Sequence, residues 1–364
     1  MTAPLKDMSL GSPAGLSRRR FVEIMACGLA LGEAVIAHAV GRGAGDPFFG
    51  TRGVVLSVDD LTLADWPGRA SAAGLTTIAL HAPRSPRALA SYVQSKPGRK
   101  FLSACRRQGL AVEYELHAMQ ELLPREYFDR APKLFRMDET GRRVRDWNLC
   151  VHSAPAMQIA ADNAVALAQT LRPTTGRYFY WGDDSRPWCR CPECAGLSDS
   201  DQALLVANRI LEALRKVDAK AQVAHLAYDN TLPPPRQVKP QPGIFLEYAP
   251  IHRRYDVPFE QAADARSRRE FELLEANLEV FGRANAQVLE YWLDASRVSQ
   301  WKKPAVKVSL NPEVLATDLD MYGRRGIRHV TTFGVYLDAE YVSRHGEPPL
   351  KEYGDQLRRW SPPR

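Results

Sequence analysis

A (β/α)8 TIM barrel, of the α/β class, is expected from three features of this 364-residue chain. Eight short apolar runs rich in β-branched and aromatic residues recur from Val54 onward, as buried parallel strands should. Segments with apolar residues at three-to-four spacing fall between most of them. The runs end in acidic, histidine or aromatic residues, and barrel enzymes gather their chemistry at the C-terminal ends of their strands. An open doubly wound sheet would also alternate strands and helices, but no glycine-rich phosphate fingerprint follows any of these runs.

The expected strands are Val54–Val58, Thr76–Leu80, Ala111–Leu116, Arg177–Trp181, Val223–Tyr228, Ile244–Tyr248, Val288–Leu293 and His329–Phe333. Helical spacing marks Phe101–Gln108, Ala154–Leu171, Asp201–Val217, Ala262–Arg283 and Pro312–Arg325. Two departures interrupt the alternation. A long insertion, from about Met119 to His152, separates the third and fourth strands, and long loops inside compact domains are usually functional. Between the fifth and sixth strands, Pro233, Pro234, Pro235, Pro240 and Pro242 exclude a helix, so that crossover should be extended.

Composition narrows the class without naming a function. The chain is 45% hydrophobic, 9% aromatic and 25% charged, a globular balance. The formal charge of +7 is spread along the sequence with no run of five or six basic residues, which argues against a nucleic-acid arm. The N-terminus reads as an address. Arg18-Arg19-Arg20-Phe21 precedes an apolar stretch, Ile24 to Ile36, and the small-x-small triplet Ala37-His38-Ala39, the order of a secretory signal of the twin-arginine type. The stretch is shorter than the ~20 residues of a membrane span, and Glu33 interrupts it. The expected organisation is a signal over residues 1–39, a linker over 40–52 and a single barrel domain over 53–364. The export machinery is then a partner, the destination is periplasmic or extracellular, and the mature chain has no stable membrane span.

The strand ends supply the candidate site. Asp59 and Asp60 follow the first strand, His81 the second, Glu115 and His117 the third, and Gly182-Asp183-Asp184 the fourth. Tyr228, Glu247, Tyr248 and His252-Arg253-Arg254 come from the fifth and sixth, Glu290-Tyr291-Trp292-Leu293-Asp294 from the seventh, and Tyr336 and Asp338 from the eighth. Carboxylates among Trp and Tyr suit a carbohydrate: aromatic faces stack on pyranose rings and acids accept hydroxyl hydrogen bonds. A carboxyl pair, one protonated as general acid and one as base or nucleophile, can cleave a glycosidic bond. Asp183 or Asp184 is the candidate acid, with Glu247, Glu290 or Asp294 as its partner. Residues 290, 292 and 294 share one parity, so a regular strand would point them to one side. Asp59, His81, Glu115, Tyr228, Tyr248, Arg253, Tyr291 and Trp292 are candidate substrate contacts. Asp59, Asp60 and Asp338 also suit helix N-caps, while His225 and His329 fall within strands and read as satisfied core residues. No nucleophile elbow, Walker loop or dinucleotide fingerprint occurs, so no organic cofactor is expected.

Cys189, Cys191 and Cys194 follow the fourth strand directly, and Cys150 ends the preceding insertion. Four thiols can converge on a structural zinc, which binds such ligands at ~2.3 Å. Disulfides are the competing reading, since the chain is expected to be exported and the count is even. Cys105 suits a buried core thiol.

The stretch from Trp181-Gly182-Asp183-Asp184 through Trp188-Cys189-Arg190-Cys191-Pro192-Glu193-Cys194, with Asn148-Leu149-Cys150 upstream and Glu290 to Asp294 downstream, resembles one bacterial family. This is the DUF4838-type domain, treated as a glycoside-hydrolase-like barrel without an assigned reaction, and the likeness covers roughly Ala111 to Asp338. It implies an exported carbohydrate-directed barrel. Gly182-Asp183-Asp184 also resembles the Gly-Asp-Glu of hexosaminidases, in which Asp orients an acetamido group and Glu is the acid; here Asp184 holds the Glu position. A similarity to α-glucuronidase barrels would make Arg253 and Arg254 clamps for a uronate carboxylate. The expected function is therefore a glycoside-hydrolase-like enzyme acting on a carbohydrate, an acidic or N-acetylated sugar among the options. The alternative is a non-catalytic carbohydrate-binding barrel.

Overall fold

The computed structural model describes residues 46–82 and 85–363, so the arginine pair and the cleavage triplet lie outside the described residues. Residues from Pro47 onward form one compact unit. Eight strands close a parallel barrel in sequence order: β1 (Thr51–Ser57), β2 (Thr77–Ala82), β3 (Ala111–His117), β4 (Arg177–Trp181), β5 (Gln222–Ala227), β6 (Ile244–Tyr248), β7 (Gln287–Glu290) and β8 (His329–Phe333). Closure is direct, with Thr51 to Val55 of β1 in register with His329 to Phe333 of β8.

Helices pack outside the wall: α1 (Trp66–Ala72), α2 (Pro86–Gln94), α3 (Lys96–Arg107), α4 (Met119–Leu122), α5 (Ala154–Thr170), α6 (Asp199–Leu214), α7 (Ala265–Phe281), α8 (Ala295–Val298), α9 (Pro312–Arg324), α10 (Ala339–His345) and α11 (Leu350–Arg359). Their starts are written locally. Ser153, Ser198, Asp264 and Asn311 each accept a backbone N–H of the following first turn, which satisfies donors that a helix start leaves orphaned. Among the described residues no helix is long and apolar enough to cross a membrane.

Both irregular connections behave as physical chemistry requires. The 118–152 insertion holds only α4 and two 3-10 turns. The proline-rich crossover is extended after its own 3-10 turn, so its backbone donors need outside partners. α6 supplies them: Asp201 Oδ1 accepts from the N–H groups of Arg236, Gln237 and Val238 at 2.8–2.9 Å. Asn208 donates to Lys239 O and accepts from Gln241 N, both at 3.0 Å. Asp201 and Asn208 thus stand on the buried stripe of α6 to hold a segment that lacks a helix of its own.

One expected strand ends early. β7 stops at Glu290, and Tyr291 to Leu293 turn into Asp294, which caps α8 through the N–H groups of Ser296 and Arg297. Glu290 and Trp292 still share a side, around Arg253 and Asp318, while Asp294 leaves it for the mouth, so the parity expected for residues 290, 292 and 294 holds only for the first two.

Inside the wall, Val55, Ala79, Phe179, Phe245 and Leu289 form an apolar layer. Beside it, Glu113, Glu115, Glu247 and Arg177 are buried together. Arg177 lies over the Phe245 ring at 3.7 Å and donates to Asn285 and Gln287. Three acids against one guanidinium cannot all ionise in low dielectric. Neither carboxylate oxygen of Glu115 has a partner among the described residues, and burial, then Glu247 and Glu113, push it well above the carboxylate range. Burial likewise raises Glu247, to about 8. Such an acid binds more protons folded than unfolded, so its contribution falls as pH rises above its unfolded value of ~4.3. Replacing Glu115 by Leu should therefore leave Tm unchanged or raised at pH 5. The gain should grow toward pH 9, by up to about 1.4 kcal/mol per pH unit. Thermal melts across pH check this; a gain that shrinks with pH would overturn it.

Candidate functional site

The C-terminal mouth of the barrel opens onto a cavity of about 460 Å³, within the range of small-ligand sites. Its floor is aromatic. Trp181, the last residue of β4, lies with its ring centroid 5.7 Å from His81 and 5.1 Å from His117, the inward residues at the ends of β2 and β3. Among the described residues three carboxylates reach the cavity: Asp59 after β1, Asp184 after β4 and Asp294 after β7. Tyr228 and Tyr291 line it between the last two, and Trp301 and Tyr336 stand at the rim.

Asp184 is exposed and accepts from Ser185 Oγ at 3.1 Å. Asp294 is buried, and burial raises its pKa. Its hydrogen bonds, from Ser296 N, Ser296 Oγ and Arg297 N, all fall on Oδ1, so Oδ2 has no partner among the described residues. Burial pushes the Tyr291 phenol well above its ordinary range, and both carboxylates add to that shift.

The backbone around the mouth is strained. Six non-glycine residues among those described have left-handed φ, and five of them, Ser185, Asp229, Gln300, Trp301 and Tyr336, line the mouth or adjoin residues that do. Each costs on the order of 1–3 kcal/mol, and such strain gathers at functional sites. Trp301 is 65% exposed and belongs to no periodic segment. A tryptophan in the polar run Ser299-Gln300-Trp301-Lys302-Lys303 was the available sequence signal for this residue, which the strand-end reasoning missed.

The remaining candidates lie away from the cavity. Glu115 and Glu247 point into the barrel beneath the floor; Glu247 Oε2 accepts from Trp181 Nε1 at 2.8 Å and so orients the floor without lining it. Asp183 is buried behind its loop, its Oδ2 4.0 Å from Arg125 and without a hydrogen-bond partner among the described residues. Glu290, Arg253 and Trp292 belong to a cluster outside the wall. There Arg253 bonds Asp318 at 2.6 Å and Glu290 at 3.1 Å, and Trp292 Nε1 donates to Asp318 at 3.1 Å. Arg253 is fully enclosed, which removes it as a uronate clamp, and Arg254 pairs with Asp256 at the surface. Tyr248 also points outward, donating to Glu270 O. Asp60 and Asp338 are structural: Asp60 accepts from Ser57 and from Tyr336 N, and Asp338 caps α10. His225 is buried against Phe281 but not satisfied, since neither ring nitrogen has a partner among the described residues.

Cys150, Cys189, Cys191 and Cys194 are buried together, with all four Sγ atoms within 4.8 Å of one another. Cys150 lies 3.8 Å from Cys191 and 3.9 Å from Cys194. A tetrahedron with ~2.3 Å metal–sulfur arms has edges of ~3.8 Å, whereas a disulfide needs ~2.05 Å. Met137 N donates to Cys189 Sγ at 3.2 Å, and His152 Nδ1 approaches Cys194 Sγ at 3.1 Å. Outer donors of this kind are what metal-bound thiolates use.

A family model described as "Domain of unknown function (DUF4838)" matches residues 91–331. The chain belongs to this family. No curated protein matches it. Among solved structures, Gan42B, a GH42 β-galactosidase, is similar at 10% identity and a TM-score of 0.54, covering 86% of this chain and 58% of that one. A glycoside hydrolase family 20 β-N-acetylglucosaminidase aligns at 14% identity and TM-score 0.48, covering 87% and 70%. PbGH5A from Prevotella bryantii B14 aligns at 9% and 0.47, covering 85% and 96%. The DUF4838 chain has a glycoside-hydrolase-like barrel fold, and the likeness to Gan42B is one of fold.

In this DUF4838 member the cysteine cluster and the mouth share a tether. Asn148, fully buried two residues before Cys150, accepts from Asp183 N at 3.0 Å and donates to Arg186 O at 3.0 Å and Pro187 O at 3.2 Å. Gly182 admits this packing, because a Cβ there would meet Trp188 at 2.9 Å. Asn148→Ala should cost roughly 2–4 kcal/mol, since it strips a buried loop of three partners. Amide exchange should speed up over residues 183–187 while the barrel strands stay protected. Protection of that loop equal to wild type would contradict the tether.

Proposed function

We propose that this DUF4838 chain is an exported glycoside hydrolase in which Asp184 and Asp294 form the working carboxyl pair. The observation that carries the reading is their meeting, from loops three strands apart around the barrel, in one aromatic-lined cavity. Burial favours the protonated form of Asp294, so it is the general acid with Oδ2 toward the leaving-group oxygen, and the exposed Asp184 is the base or nucleophile. Trp301 and Tyr336 offer faces for a pyranose ring. The twin-arginine segment directs the chain to the periplasm or beyond, through machinery that exports folded proteins. The four thiolates hold one structural zinc acquired before export; sulfur separations near 3.8 Å support metal over disulfides. With all four positions occupied by sulfur, the ion stabilises the loop that carries Asp184 and takes no part in catalysis.

Screening chromogenic glycosides of neutral, acidic and N-acetylated sugars tests the pair. Asp184→Asn and Asp294→Asn should each lower kcat by roughly 10²–10⁴, with Tm within a few degrees of wild type. Wild-type activity should fall as pH rises through the elevated pKa of Asp294, and the residual activity of Asp294→Asn should lack that limb. Glycan binding without turnover, unaltered by either variant, would establish a binding barrel instead. Metal analysis of protein purified without added zinc should find about one zinc per chain, and chelation should lower Tm. Four oxidised sulfurs without metal would overturn the zinc assignment.

A further inference from the structure

We infer that His81 and His117 form a paired hydrogen-bond acceptor on the cavity floor, built to receive two hydroxyl groups of one sugar ring lying against Trp181. The inference deepens the carbohydrate reading and rests on it. The geometry fixes the protons. His81 Nδ1 lies 2.8 Å from Glu115 O, and His117 Nδ1 lies 2.7 Å from Gly182 O. A backbone carbonyl can only accept, so each Nδ1 carries the hydrogen, and in the neutral ring each Nε2 presents a lone pair. Neither Nε2 is bonded within the described residues, and neither is sealed from solvent as both nitrogens of His225 are. Both imidazoles line the cavity. Burial, followed by the neighbouring His117, lowers His81 to about 4, so it is uncharged at neutral pH.

Spacing sets what the pair can hold. The imidazole centroids are 5.6 Å apart with the rings at 79°, and the indole of Trp181 touches both. Two acceptors flanking an indole complement a pyranose that presents an apolar patch with hydroxyl donors beside it. The same tautomer also serves metal-binding histidines. However, among the described residues no third His, Cys, Asp or Glu gathers with these two on the scale of a metal site, as the four cysteines do. The main chain supplies the orientation. Both accepting carbonyls belong to the ends of β3 and β4, so the pairing of β2, β3 and β4 holds each ring by its Nδ1 and leaves Nε2 on the opposite side.

Two measurements on the full chain test the pair. Long-range ¹⁵N NMR at pH 9, where an imidazole is neutral, should show both rings protonated at Nδ1 and bare at Nε2; a proton on Nε2 of either neutral ring overturns the inference, whatever the ligand. Titration with the methyl glycosides of glucose, galactose, mannose and N-acetylglucosamine then finds the tightest ligand. His81→Phe and His117→Phe, which keep an aromatic ring without an acceptor, should each weaken that ligand about tenfold or more. A His81→Gln variant, whose carbonyl can still accept, should recover part of the loss. Monodeoxy analogues should lose affinity for wild type, and at least one should lose no more for the matching Phe variant. Equal affinity of wild type and both Phe variants overturns the pair and leaves the carbohydrate reading standing. No binding of any sugar overturns that reading and the inference with it.

Discussion

Side-chain alternation in a closed barrel decides which strand residues reach the cavity, which lie beneath its floor and which face the helices. Successive residues of a strand face opposite sides of the wall, and closure gives the sheet an inside and an outside with no edge between them. His81, Glu115, Trp181 and Glu247 share the inner face, so the first and third of these can build the floor while the two acids lie beneath it. Tyr248 and Glu290 are one step out of phase with that set and face the helices. A carboxylate at a strand end is therefore assigned to solvent, substrate or core by parity before its chemistry matters.

The two buried charge clusters show what this constraint costs. Outside the wall, Arg253 is matched by Glu290 and Asp318, and tyrosine and tryptophan donors complete the set. Removing one partner from such a cluster would strand a charge, which explains why an enclosed arginine can sit between β7 and α9. Inside the wall the match is incomplete, because one guanidinium faces three glutamates. Protonation closes the gap. The interior acids lie one layer below Trp181, and Glu247 orients that indole by a direct hydrogen bond. The floor of the cavity thus stands on a cluster in which burial favours the protonated forms of Glu115 and Glu247, while Glu113 lies beside the Arg177 guanidinium.

Much of this was legible in the sequence. Eight apolar runs, the proline-rich crossover and the long insertion gave the barrel and both of its irregularities. Fixed spacing around Cys189, Cys191 and Cys194 pointed to Cys150, which the fold brings to them. The site was legible only in part. Asp59, His81, Asp184, Tyr228, Tyr291 and Asp294 reach the cavity, whereas Glu290 and Trp292 do not: parity turns Glu290 toward the helices, and Trp292 joins it on that side, so of residues 290, 292 and 294 only Asp294, beyond the early end of β7, enters the mouth. A strand's final residue depends on where the next turn finds its cap, and a one-residue change there reverses the side that follows. Arg253 was misread for another reason: nothing local shows that an arginine beside a strand end will meet Asp318, 65 residues away. Trp301 lies in irregular backbone, where periodicity is silent.

The cysteine cluster and the cavity are joined through the same βα unit, and the joint has a direction. Asp184 extends from an exposed turn whose next residue, Ser185, holds a left-handed conformation. Such a turn keeps its shape only if neighbours over-determine it. Those neighbours are Asn148, which grips the backbone on both sides of the turn, and Trp188, which fills the space left by Gly182. Asn148 is two residues from Cys150, and Trp188 directly precedes Cys189. Gln202, on α6, closes the set by bonding both the N–H and the carbonyl of Cys189. Four thiols that draw the insertion and the β4 loop to one point therefore fix the two residues that shape the Asp184 turn. The insertion, which by length alone would be the least ordered part of the barrel, becomes the support for one of its three cavity-lining carboxylates.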